Sequence, residues 1–164
     1  MKKLLESYTA YNLWANEKLA TIISALDESL FFKKVPSSFP NLFETVEHIW
    51  QAELVWMQRI QQIAPNKKPE FPTKDMKALL ASLLKVNKDW ISFIEAMTEE
   101  NLVEIVDYNN WQGAPFSTPV WQIVHHVFNH STFHRGQLIT MLRHLGVTSL
   151  PSTDYITYTR IETN

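Results

Sequence analysis

Histidines cluster near the C-terminal end of the chain, where four of the six fall within ten residues of the segment VHHVFNHSTFHRGQL. On a helix that turns 100° per residue, His130 and His134 lie about 40° apart and share an apolar face with Val127 and Leu138. Two imidazoles one turn apart can bind one metal ion, as paired histidines do in helical zinc sites. Ser131 lies on the same face and leaves room beside the rings. The spacing predicts two metal ligands; the alternative is two buried histidines that hydrogen-bond to neighbouring protein groups.

The remaining histidines of the same predicted helix point in other directions on the helical wheel. His125 lies on the opposite side, and His126 and His144 lie about 80° from the ligand direction. We expect these three residues to be at the surface or beside the apolar face. Arg135 is turned away from the ligand pair, and we expect it to form an ion pair with another helix.

A metal site also needs a ligand from a second element, and the helix predicted around residues 41–63 offers His48, Glu44, Glu47 and Glu53. His48 lies at the margin of the apolar face of that helix, whereas Glu53 lies nearer its middle. Periodicity alone does not choose between them. For Glu53 the favoured interpretation is a carboxylate at the edge of the core, paired with Arg or Lys.

Long apolar-periodic segments, separated by Pro and by Asn or Ser, predict four helices. These helices span about residues 2–26, 41–63, 73–97 and 118–145. Asn41 with Glu44 resembles an N-terminal capping box, and Thr73 and Thr118 are candidate caps for the next two helices. Thr118 precedes a proline at the first helical position, and Gly146 is the expected stop of the last helix.

The rest of the chain is predicted to connect or cover these helices. Residues 98–117 combine the strand-like LVEIVDY with the turn-forming NNWQGAP, which predicts a hairpin or an ordered loop. Residues 65–73 form a proline-rich connection, and residues 147–164 are expected to pack as an extended tail. Tryptophans at helical spacing, Trp56 among them, are expected in the core. Together these elements predict an all-α protein, a four-helix bundle in a single domain of residues 1–164.

Composition excludes several classes of protein. The chain has no Cys, which excludes disulfides, zinc fingers and a cysteine nucleophile, so a metal must be held by histidines and carboxylates. Three glycines in 164 residues are too few for a glycine-rich nucleotide fold. The formal net charge is −2, without a basic patch for nucleic acid, and no segment is apolar enough to predict a membrane span or a signal peptide. We therefore expect a soluble cytoplasmic protein that binds neither nucleic acid nor a membrane.

Three motifs resemble those of the DinB-like family of metal-binding four-helix bundles. They are YNLWANEKL at residues 11–19, EHIWQAELVW at residues 47–56 and NHSTFHRGQ at residues 129–137. The resemblance covers nearly the whole chain, and the HxxxHRGQ element is its most specific part. It implies one metal ligand on the second helix and two on the fourth, which are His48, His130 and His134 in this sequence.

The resemblance also implies a function. Three neutral imidazoles leave coordination positions open on a divalent metal, for which Zn²⁺ or Ni²⁺ is expected. The thiol-S-transferase branch of the family implies transfer of a low-molecular-weight thiol to an electrophile, with Gln137 orienting a bound group from beside the ligands. A metal-dependent hydrolase is the second interpretation, and a metal-sensing or structural bundle without catalysis is the third. Homodimers are common among such proteins, so a homodimer is also expected.

Overall fold

Four long helices form the framework of the chain in the computed structural model, which describes residues 1–64 and 67–162. The long helices are α1 Lys2–Ser24, α2 Leu42–Ile60, α3 Met76–Ala96 and α5 Val120–His144. Two further helices, α4 Glu99–Val103 and α6 Tyr155–Glu162, are short. Two strands, β1 Ile105–Asn109 and β2 Pro115–Pro119, pair between α4 and α5, and a 3-10 turn spans Glu28–Leu30. Helices α1 and α2 each pack against both α3 and α5. The predicted all-α four-helix bundle is confirmed.

The start of α2 is capped as the sequence predicts. The side chain of Asn41 accepts a hydrogen bond from the backbone N–H of Glu44 at 2.9 Å, which satisfies one free donor of the first turn. In a standard capping box the Glu44 carboxylate would accept a hydrogen bond from the backbone N–H of Asn41. Here Glu44 Oε1 accepts instead from the side-chain Nδ2 of Asn41. The cap fixes where α2 begins and therefore which residues it buries.

Two of the predicted helix starts are wrong. Helix α3 begins at Met76 and not after Thr73, because the carboxylate of Asp75 accepts from the N–H groups of Lys77 and Ala78 and is the closer cap. Helix α5 begins at Val120, and Thr118 does not cap it. Thr118 instead pairs with Val106 of β1 as part of the hairpin, so the backbone stays extended up to Pro119.

The segment before α5 forms the expected hairpin. Strands β1 and β2 are antiparallel, with Asp107 opposite Ser117, and Gly113 adopts a φ of 84° in the connecting turn. A short helix, α4, precedes the hairpin and was not predicted. Its start is a full capping box, in which Thr98 and Asn101 exchange side-chain to backbone hydrogen bonds.

Helix α5 ends at the predicted glycine. Gly146 has a φ of 92°, its N–H donates to the carbonyl of Arg143, and the N–H of Val147 donates to the carbonyl of Leu142, both at 3.0 Å. This pair of bonds is the Schellman motif, which a glycine permits because it adopts positive φ without strain. The C-terminal end of the histidine-bearing helix is thereby defined.

The tail after α5 is not wholly extended, which corrects the sequence prediction. Residues 155–162 form α6, which packs on α1 through an aromatic cluster of Tyr8, Tyr11, Trp14, Tyr155 and Tyr158. An eight-residue helix is marginal alone, so its formation depends on this packing. Residues 65 and 66 of the predicted connection and residues 163 and 164 of the tail lie outside the described residues.

The core lies between the four long helices. Its fully buried side chains include Ile23, Phe43, Ile49, Leu79, Trp90, Ile94, Val124, Val127 and Phe128. No helix in the described part of the chain combines the length and the apolar character needed to cross a membrane.

Candidate metal centre

Helices α2 and α5 bring three histidines to one point. The Nε2 atom of His48 lies 3.0 Å from Nε2 of His130, which lies 3.1 Å from Nε2 of His134. The candidate ligand atoms of all three residues lie within 4.8 Å of one another. The structure therefore assembles the three histidines that the family resemblance implies as ligands; whether they bind metal stays a prediction.

The other candidate ligands on α2 are used elsewhere. Glu44 belongs to the cap of the helix, and Glu47 Oε1 accepts a hydrogen bond from the backbone N–H of Phe71 at 2.8 Å. Glu53 is completely buried. Its carboxylate accepts hydrogen bonds from Asn12, Asn87 and Ser131.

Two charged residues therefore differ from their predicted roles. Glu53 is not at the edge of the core, and among the described residues it has no Lys or Arg in ion-pair contact. Arg135 is only 1% exposed and bonds to the side chains of Asn12, Asn16 and Thr132 rather than to a carboxylate. The helical wheel correctly placed Arg135 away from the histidine pair. Helix α1 covers that face of α5, so the guanidinium lies among the neutral side-chain amides of Asn12 and Asn16.

The remaining histidines stay outside the group. His125, His126 and His144 are exposed, as expected, although the His126 ring lies 5.8 Å from that of His130. The His126 ring also contacts Trp56 edge to face at 5.3 Å.

Burial keeps the clustered histidines neutral. It lowers the pKa of His48 from 6.5 to about 3 and that of His130 to about 4, and the neighbouring histidines add to both shifts. The positive charge of Lys68 contributes further to the lowered pKa of His48. The pKa of His134 is also lowered by burial, and the hydrogen bond that its ring donates to Gln137 opposes this shift. Neutral imidazole is the form that binds metal ions.

Gln137 holds His134 in one orientation. Its Oε1 lies 2.8 Å from Nδ1 of His134, and its amide nitrogen donates to Ser38 Oγ at 2.7 Å. Since Oε1 can only accept, Nδ1 carries the proton and Nε2 presents a lone pair to the other histidines. The Nδ1 atoms of His48 and His130 are buried without a hydrogen-bond partner among the described residues. Gln137 thus fixes the tautomer of one histidine of the three.

A loop before α2 closes one side of the group. Phe39 packs its ring 4.4 Å from that of His48 and 5.7 Å from that of His134, measured between centroids. Ser38, which receives the Gln137 hydrogen bond, precedes it in the same loop. Neither residue was predicted, because their approach depends on how the loop folds back over the bundle.

The donor set fits a divalent metal ion. Ligand nitrogens that each lie about 2.0–2.1 Å from one tetrahedral zinc ion stand roughly 3.3 Å apart. This is close to the 3.0 and 3.1 Å that separate Nε2 of His130 from Nε2 of His48 and Nε2 of His134. Among the described residues, no fourth histidine or carboxylate joins the group. Three protein ligands leave coordination positions open, which is typical of catalytic rather than structural zinc sites.

A cavity of about 230 Å³ opens beside His48 and His130. Its lining residues come mainly from α2 and the hairpin turn, and they include Trp56, Arg59, Lys68, Asn110 and Trp111. Trp56, expected in the core, packs against the core and also forms part of the cavity wall. Arg59 was not predicted, although it follows His48 by eleven residues. That spacing puts the two residues within about 20° of each other on a helix and is the signal that could have found it.

A bundle of four long helices with three histidines converging between two of them defines a four-helix bundle protein with a candidate metal centre. The family model of the DinB family matches residues 1–164, and the chain belongs to that family. It is 26% identical over 156 residues to Protein DinB of Bacillus subtilis, an alignment that covers 90% of this chain and 89% of the relative.

Solved structures of DinB-like proteins show the same fold. A DinB-like protein, YjoA, of Bacillus subtilis superposes with a TM-score of 0.72 at 18% identity, covering 90% of this chain and 97% of the other. YfiT of the same organism, described as a probable metal-dependent hydrolase with an unusual four-helix bundle topology, gives 0.68 at 14% identity, covering 90% and 91%. A DinB-like protein of Bacillus cereus gives 0.65 at 21% identity, covering 84% and 89%.

Proposed function

We propose that this protein is a divalent-metal-dependent enzyme that transfers a low-molecular-weight thiol to an electrophilic substrate. The observation that carries the proposal is the convergence of three neutral imidazoles, His48, His130 and His134, beside a cavity. A Zn²⁺ or Ni²⁺ ion held by them would supply a Lewis acid that lowers the pKa of a thiol cosubstrate.

The residues of the chain bind and orient the reactants. Gln137 keeps the lone pair of His134 Nε2 directed toward the other two histidines. Phe39 covers the rings of His48 and His134 on one side. The cavity beside His48 and His130 offers an approach for a small molecule. Since the chain has no Cys, the thiol is a cosubstrate.

The transfer balances without a redox partner. The thiol releases its S–H proton to solvent, and its sulfur forms a bond to an electrophilic carbon of the second substrate. The bond from that carbon to its leaving group breaks, and the leaving group departs with the electron pair. Holding both reactants in one cavity lowers the barrier by positioning them.

A metal-dependent hydrolase is the second candidate, and the similarity to YfiT favours it. Hydrolysis needs a general base near the attacking water. No carboxylate lines the cavity within the described ranges, and His126, whose ring lies 5.8 Å from His130, is the nearest further imidazole. This absence of a placed carboxylate is the reason for preferring thiol transfer.

The test loads metal-free protein with Zn²⁺ or Ni²⁺ and measures the loss of several small thiols in the presence of a generic electrophile. We expect a rate that His134→Ala abolishes and that His125→Ala, an exposed substitution on the same helix, leaves unchanged. Thiol loss no faster than with His134→Ala, for every thiol, would contradict the proposal. In that case, metal-dependent cleavage of ester or amide substrates would support the hydrolase. Metal that only raises the unfolding temperature would support a structural site.

A further inference from the structure

Arg59 occupies an unusual position at the wall of the cavity beside the histidines. We propose that its guanidinium binds the oxyanion group of a substrate, so that the site selects small anionic molecules. The inference deepens the proposed function, because it names the class of molecule that the same cavity takes. Carboxylate, sulfonate and phosphate groups share the chemistry that a guanidinium recognises.

Arg59 is held among aromatic rings and lacks a counterion. Only 8% of its surface is exposed, and its guanidinium carbon lies 4.4 Å from the ring centre of Trp56, 5.0 Å from Tyr108 and 5.2 Å from Trp111. Among the described residues its guanidinium makes one hydrogen bond, to the carbonyl of Asn109, which is long at 3.4 Å. No Asp or Glu of the described residues forms an ion pair with it.

Burying the Arg59 guanidinium without a counterion costs desolvation free energy, which a bound anion would offset. A buried cation without a partner loses hydration that cation–π contacts restore only in part. The rings also fix the plane of the guanidinium, so its N–H fork is oriented before a ligand arrives. An oxyanion bound there forms an ion pair with the guanidinium, and the Arg59 side chain loses little further conformational entropy.

The charge of the cavity agrees with this occupant. Lys68 lines the same cavity as Arg59, and the lining contains no Asp or Glu among the described residues. A divalent ion at His48 and His130 would add positive charge to a wall that already carries two cations. An anionic ligand is therefore favoured, and a cationic one is disfavoured, by the sum of these charges.

A second cavity also borders Arg59 but suits an anion less well. It measures about 360 Å³ and is lined by Gln62, Asp107 and Asn110, among others. The carboxylate of Asp107 accepts a hydrogen bond from Ser117 at 2.6 Å and would repel an anion there. The cavity beside the histidines lacks such a carboxylate, so it is the expected place of binding.

The size of the cavity limits the ligand. At about 230 Å³ it is smaller than the 300–1,000 Å³ typical of sites for drug-sized molecules. A molecule of a few heavy atoms can place an oxyanion on Arg59 and a second functional group near His48 or His130. Short thiols with and without a carboxylate are therefore matched probes.

The experiment measures binding of 3-mercaptopropionate and 2-mercaptoethanol to zinc-loaded protein by calorimetry. We expect the carboxylate-bearing thiol to bind about tenfold more tightly, because a charge-assisted hydrogen bond is worth that much. Arg59→Gln should remove this preference while zinc stoichiometry stays at the wild-type value. Arg143→Gln, which removes an exposed arginine of α5, should keep it.

Further arms separate the outcomes. If Arg59→Gln does not fold, Arg59→Lys replaces it, and the preference should fall to about threefold because lysine lacks the planar fork. Binding of propionate, methanesulfonate and inorganic phosphate to metal-free protein compares the affinities of the three oxyanions in the absence of a thiol. Equal binding of the two thiols to wild type, or an unchanged preference in the folded Arg59 variant, would overturn the inference. Binding with the expected preference but no transfer would contradict only the proposed function.

Discussion

The hydroxyl of Ser131 donates a 2.7 Å hydrogen bond to Oε1 of Glu53, and both side chains are completely buried. Ser131 follows His130 on α5, and Glu53 lies on α2, the helix that carries His48. The bond therefore joins the two histidine-bearing helices at the residue next to His130. A slip of either helix would break it, so it helps to hold the three imidazoles in register.

Glu53 also connects the rest of the bundle. Its oxygens accept from Asn12 of α1 and Asn87 of α3, so one carboxylate contacts all three other long helices. Arg135 bonds to the carbonyl end of the same Asn12 amide. Complete burial raises the pKa of Glu53, and the hydrogen bonds from Asn12, Ser131 and Asn87 oppose that shift by favouring the ionised form.

Removal of the Ser131 hydroxyl should weaken the bundle. We expect Ser131→Ala to lower the free energy of unfolding of the metal-free protein by about 1–3 kcal/mol, because a buried carboxylate loses a donor. Urea unfolding followed by circular dichroism measures the change. Thr140→Ala is the matched control, since that exposed hydroxyl bonds only to the carbonyl of Gly136 in its own helix, and it should change stability by less than about 0.5 kcal/mol. Equal effects of the two substitutions would contradict the claim that the Ser131–Glu53 hydrogen bond stabilises the bundle.

The metal content of the protein should depend on each histidine of the group. Protein purified without a histidine tag is expected to hold one divalent ion per chain by elemental analysis. His48→Ala, His130→Ala and His134→Ala should each lose most of it after dialysis, because two imidazoles bind far more weakly than three. His144→Ala, which changes an exposed histidine of α5, should retain it. Stoichiometric metal in the triple alanine variant would disprove the ligand set.

Gln137 should act on metal affinity more than on folding. Gln137→Leu removes the acceptor for the His134 Nδ1–H, and we expect metal affinity to fall about 10–100-fold, as for other groups that orient a ligand. Competition with a chelator of known affinity measures the loss. Ser38→Ala removes only the bond that steadies Gln137, so its effect should be smaller. An unchanged affinity for Gln137→Leu would show that the amide merely fills the edge of the bundle.

The sequence was sufficient for the helices whose start and stop signals are local. The Asn41 cap and the Gly146 stop depend on neighbours within a few residues, and both are found as predicted. The cap of α3 was misplaced because Thr73 and Asp75 are both good caps two residues apart. Helix α6 was missed because its stability comes from packing on α1 and not from its own eight residues.

The site was only partly predictable because its key distinctions depend on contacts between distant residues. The His130 and His134 pair follows from helical spacing, but the choice between His48 and Glu53 depends on how α2 is rotated in the bundle. Glu53 turns inward to Asn12 and Asn87, which lie 41 and 34 residues away in sequence. Arg135 shows the same limit, since its partners on α1 are more than 100 residues away.

The lowered pKa values of the histidines predict how the stability of metal-free protein depends on pH. The unfolded chain takes up protons as pH falls through 6.5, whereas folded His130 and His48 take them up only at about pH 4 and about pH 3. The unfolded state therefore binds more protons in this interval, and stability falls as pH falls. The raised pKa of Glu53 acts in the opposite direction, because its folded form binds a proton first.

A comparison of variants isolates the contribution of the histidines from that of Glu53. Urea midpoints of metal-free protein, measured between pH 7 and pH 5, should decline with falling pH less steeply for His48→Ala than for wild type. The contribution of Glu53 is common to both proteins and cancels in the difference. His125→Ala should follow the wild-type curve, because His125 is exposed. Parallel curves for wild type and His48→Ala would mean that His48 takes up its proton equally easily in the folded and unfolded states, against the burial that the structure shows.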